Sequence, residues 1–124
     1  MTKNYVGLKA VGMGFASAHL TVICTGDLEA ATEVSVQRAL DNLGNPTFYV
    51  ERREIAMFGP MQDIPVVLIK PTMSLWGLRK ALENDINIPN PSEYDWNPHI
   101  TLEFEPGSIL RIPPVIVLHK LGLY

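Results

Sequence analysis

The sequence predicts an α+β fold with mostly antiparallel strands. Three observations carry this. Short runs rich in β-formers are bounded by Gly and Pro. Two stretches repeat apolar residues at helical spacing. No polar linker divides the 124 residues, so one domain with one main core is expected over 1–124.

Tyr5 to Val11 alternates weakly and reads as a strand that Gly12-Met13-Gly14 breaks. Ala18 to Thr25 is the next strand. Asp27 is a good N-cap, and Leu28, Ala31, Ser35, Ala39 and Leu43 recur at helical spacing up to a Gly44 stop. This predicts a helix near 27–43. Thr47 to Phe58 is a strand with one wet face, ended by Gly59-Pro60. Pro65 to Lys70 is a buried-type strand. Thr72 or Ser74 caps a second helix, which presents Leu75, Leu78 and Leu82 to the core. Asn87 to Pro98 is a polar loop, Pro98 to Glu105 a strand, and Val115 to Tyr124 the closing strand.

Composition narrows the function classes. The chain is 47% hydrophobic and 19% charged, the balance of a globular protein. Its net charge of −3 argues against a broad grip on long nucleic acid, while leaving room for a small anion in a local pocket. Cys24 is the only cysteine, so no internal disulfide forms; it reads as a small buried residue. No apolar stretch is long enough for a bilayer, and the first residues lack a signal-like run. A cytoplasmic protein without a membrane partner is the expectation.

Two tetrapeptides carry the chemistry: His19-Leu20-Thr21-Val22 and His99-Ile100-Thr101-Leu102, one in each half of the chain. Strand side chains alternate, so His19 and Thr21 share one face while Leu20 and Val22 anchor the other. His99 and Thr101 do the same against Ile100 and Leu102. Brought together, two imidazoles and two hydroxyls suit acid–base chemistry on a phosphate ester. By the same alternation, Ile23 and Glu103 are expected on the motif face.

These motifs, with the string Trp96-Asn97-Pro98-His99-Ile100-Thr101-Leu102, resemble the two-histidine (2H) phosphoesterase superfamily. It includes bacterial RNA 2′,5′-ligase-like proteins and cyclic phosphodiesterases of RNA processing. The resemblance implies a bilobal, pseudo-symmetric fold with lobes near 1–60 and 61–124 and two main helices. It implies catalytic roles for His19, Thr21, His99 and Thr101. One histidine would be general base and the other general acid, with the threonines holding phosphoryl oxygens; spacing does not assign which histidine is which. The implied activity is metal-independent phosphodiester hydrolysis. Its substrate would be a small nucleotide or oligonucleotide: a 2′,3′-cyclic phosphate, a 2′,5′ linkage or a cyclic oligonucleotide. A viral-type nuclease degrading cyclic nucleotide immune signals belongs to the same class.

The remaining candidates are weaker. Tyr5 and Lys9 share a strand face and could reach substrate, Lys9 as a phosphate contact. Trp96 either stacks on a base or wedges its loop down. Trp76 and His119 read as structural. No zinc motif, C-x-x-C pair or Walker sequence is present, so neither metal nor cofactor is expected. A nucleotide-binding module without turnover and a purely structural domain are the alternatives; the paired His and Thr favour catalysis over both.

Overall fold

The computed structural model describes residues 5–13, 17–26, 28–85, 96–102 and 112–124. Six strands and two helices run in the order β1 (Tyr5–Val11), β2 (His19–Cys24), α1 (Ala30–Leu43), β3 (Phe48–Phe58), β4 (Ile64–Ile69), α2 (Met73–Asp85), β5 (His99–Thr101) and β6 (Val115–Leu123). The strands close into a ring in the order β1, β2, β5, β4, β3, β6. Every neighbouring pair is antiparallel. β3, from the first half of the chain, therefore lies between β4 and β6 from the second.

One face of this ring builds the core. Leu8, Leu20, Val22, Ile100, Ile116 and Leu118 pack with Val36 and Leu40 of α1 and with Leu75, Leu78 and Leu82 of α2. The Leu row of α2 is thus the one its spacing predicts. Thr72 is its cap: the Thr72 hydroxyl accepts from the Leu75 N–H at 3.1 Å, which satisfies a donor of the first turn. Among the described residues, no helix is long and apolar enough to cross a membrane.

α1 departs from its sequence reading. It starts at Ala30 with Glu29 in the cap position, and no side chain caps it. Its buried residues are Val36 and Leu40, whereas Ala31, Ser35 and Leu43 are exposed. The larger aliphatic pair buries more apolar area than the Ala/Ser row, and that sets the rotation of the helix. Gly44 ends it as expected, with φ of 74° and its N–H bonded to the Asp41 carbonyl.

β2 also breaks its expected alternation. Val6 pairs with Ile23 but Gly7 with Thr21, so Val22 is an extra residue, a β-bulge. The bulge inverts the facing of the two residues after it. Ile23 is buried in the core, not on the motif face, and Cys24 is exposed, not buried. Gly14, Asp27, Glu103 and most of the 87–98 loop lie outside the described residues.

Candidate active site

The two motifs lie on neighbouring strands. Leu20 pairs with Ile100 in the antiparallel β2–β5 ladder, and both are fully buried. The same register sets His19 across from Thr101 and Thr21 across from His99. Opposed residues of an antiparallel pair share a face, here the one turned away from Leu20 and Ile100. The four polar residues form a two-by-two patch, and the histidines are diagonal neighbours, roughly 7–8 Å apart at the backbone. Both imidazoles are half-buried; Thr101 is exposed.

Each imidazole is held in the same way. His19 Nδ1 is 2.9 Å from the Ser17 carbonyl oxygen, and His99 Nδ1 is 3.0 Å from that of Asn97. A carbonyl only accepts, so Nδ1 carries the proton and donates in both rings. Nε2 then carries the lone pair when the ring is neutral. Each motif orients its own histidine through the backbone two residues upstream.

Aromatic rings wall both imidazoles. Tyr5 stacks on His19, with centroids 4.8 Å apart and planes at 21°. Phe58 meets His99 edge-on at 4.7 Å. Gly7 makes the first of these possible. A Cβ there would lie 2.8 Å from the Leu20 carbonyl oxygen and 3.0 Å from the Tyr5 ring, so only glycine lets that ring lie across β1. Tyr124 extends the wall: its backbone exchanges hydrogen bonds with Tyr5 at 3.1 and 2.8 Å, and the two rings stack at 5.7 Å. Burial pushes both phenols above the usual tyrosine pKa, and at Tyr124 the neighbouring Tyr5 adds to the rise. Both therefore stay neutral donors around neutral pH.

Lys9 is exposed and lies directly opposite His19 on β1, with its ammonium 5.4 Å from the Tyr124 ring centre. Tyr5, Lys9, Ser17, Ala18, His19 and Tyr124 together line a cavity of about 250 Å³. The structure thus brings Tyr5 and Lys9 to His19, as the sequence suggests. Trp96 goes elsewhere. It meets Trp76 edge-to-face at 5.3 Å and the Arg79 guanidinium at 5.0 Å, so its ring packs against α2. Among the described residues, no three His, Cys, Asp or Glu side chains group as a metal site.

Three contributors escape a sequence reading. Phe58 and Tyr124 sit at strand ends with no motif to mark them. Arg79 looks like a helix-surface residue but is buried: its guanidinium donates to the Val22 carbonyl and pairs with Glu83 at 3.1 Å. It ties α2 to the bulged residue of β2, beside the first motif. Burial lowers its pKa, and Glu83 opposes that shift.

No family model and no curated protein matches the chain. Solved structures do. A phosphoesterase and E. coli LigT complexed with 3′-AMP each superpose with a TM-score of 0.62 at 14% identity, over 99% of this chain and 95% of the other. The chain has the fold of the two-histidine phosphoesterases.

Proposed function

We propose that this protein is a metal-independent phosphodiesterase acting on a nucleotide or RNA phosphodiester by two-histidine acid–base catalysis. The observation that carries the reading is the two-by-two patch of His19, Thr21, His99 and Thr101, with both Nδ1 atoms occupied by backbone carbonyls. A phosphate centred over the patch meets Nε2 of both rings. One neutral imidazole takes the proton of the attacking water or ribose hydroxyl as the new P–O bond forms. The other, protonated, donates to the leaving oxygen as the old P–O bond breaks. The Thr21 and Thr101 hydroxyls donate to the non-bridging oxygens, where charge grows.

A 2′,3′-cyclic phosphate attacked by water opens to a monoester. An oligonucleotide with a free 2′-hydroxyl beside the scissile bond is cleaved by internal attack and leaves a cyclic phosphate. The LigT structure is of a complex with 3′-AMP, a small nucleotide, which supports a substrate of that class. Since one imidazole must start neutral and the other protonated, the rate falls on both the acid and the alkaline side.

The test is turnover of a panel of 2′,3′-cyclic nucleotides, 2′,5′-oligoadenylate and cyclic oligonucleotides in the presence of EDTA. Hydrolysis that disappears in both His19→Ala and His99→Ala supports the enzyme. Tight binding without turnover makes the protein a nucleotide-binding module instead, and neither outcome leaves a structural domain.

A further inference from the structure

His119 reads as a structural residue in the sequence, but the ladder puts it beside the site. Lys9 of β1 pairs with His19 on one side and with His119 of β6 on the other. Directly opposed residues share a face, so His19, Lys9 and His119 form one row across three strands, on the face of the catalytic patch. The row covers two strand spacings, about 10 Å, which is room for more than one phosphate. His119 is half-buried and Lys9 exposed. Among the described residues, no carboxylate pairs with Lys9, and none lines the cavity beside it. The Tyr124 ring flanks the Lys9 ammonium without neutralising it.

A row of donors with no acid, ending on one catalytic histidine, is laid out for an anion other than the scissile phosphate. We propose that Lys9 and His119 hold a second phosphate of the substrate. The favoured substrate is then one with a further phosphate next to the reacting one, an oligonucleotide in preference to a mononucleoside cyclic phosphate. The cavity walled by Tyr5 and Tyr124 lies beside this row and takes the nucleoside between the two phosphates. This inference rests on the phosphodiesterase reading of the same site and narrows its substrate class.

Calorimetric titration of the intact protein with adenosine 3′,5′-bisphosphate and with 3′-AMP, at one ionic strength, tests it without requiring turnover. The bisphosphate is expected to bind about tenfold tighter or more. That ratio is expected to fall towards one in Lys9→Met and in His119→Gln and to survive in Lys9→Arg, with circular dichroism showing that each variant is folded. Equal affinities in the parent protein, or a parental ratio retained in Lys9→Met or His119→Gln, would overturn the proposal. A protein that hydrolyses diesters but binds both ligands equally loses only the second-phosphate subsite. One that favours the bisphosphate but turns nothing over keeps the subsite and loses the catalytic reading.

Discussion

Leu20 lies directly opposite Ile100, and this one buried pair sets the mutual position of four polar side chains on the far face of the sheet. Apolar burial beneath the ladder holds the register. A slip of either strand by one residue would turn its histidine into the core, so the hydrophobic pattern and the polar pattern specify the same alignment.

In the proposed mechanism, removing either imidazole takes away one half of the proton relay. His19→Ala and His99→Ala are each expected to lower kcat about 10²- to 10⁴-fold. Thr21→Val and Thr101→Val lose a hydroxyl aimed at the phosphoryl oxygens and should cost about 10²-fold in kcat with little change in KM. Steady-state kinetics on whichever diester the panel identifies checks both. Full activity in either histidine variant would remove that residue from the mechanism.

Tyr5 is a positioning residue for His19. Tyr5→Phe keeps the stacked ring and is expected to retain most activity, whereas Tyr5→Leu frees the imidazole to rotate. The Leu variant should lose kcat more than it gains KM. An unchanged kcat would reduce the stack to simple packing.

Gly7→Ala is predicted to destabilise the fold by about 1–3 kcal/mol, read from urea unfolding. Its Cβ meets the Leu20 carbonyl, a backbone atom that cannot swing aside, at 2.8 Å. Because the Tyr5 ring is the other atom group in the way, the surviving folded protein should also lose activity.

Arg79→Met keeps much of the buried volume but strips the Val22 carbonyl of its donor and leaves Glu83 with Lys80 alone of its two cation partners among the described residues. A loss of about 1–3 kcal/mol is expected. A thermal midpoint that stays at the parental value would mean that water or another donor replaces the guanidinium.

The two raised tyrosine pKa values predict an alkaline limit to stability. The folded protein holds its phenolic protons to higher pH than the unfolded chain, so the contribution is complete below the ordinary tyrosine value of about 10. It is lost as pH rises through the folded values. Thermal midpoints should therefore fall above about pH 10. Tyr5→Phe and Tyr124→Phe should each flatten that decline.

How much the sequence reveals depends on which patterns are local. The burial of Leu20 and Ile100 beneath the two His-x-Thr motifs, the Leu75, Leu78 and Leu82 row and the Gly44 stop are each written within a few residues, and the structure shows each of them. The Val22 bulge depends on how β2 meets β1, so the facing of Ile23 and Cys24 cannot be derived from β2 alone. The same holds for His119, whose place beside Lys9 comes from a pairing between the first and last strands. Of the row read for α1, Leu28 and Ala39 pack at the edge of the core while Ala31, Ser35 and Leu43 are exposed, because several rows fit the helical period and only contact with the core chooses among them.

Each histidine is anchored by the carbonyl two residues before it, just ahead of its strand. The anchor is a main-chain atom, so no side-chain substitution removes it. Substitutions in the aromatic and basic lining leave this anchor in place and reach the imidazoles through the rings packed against them.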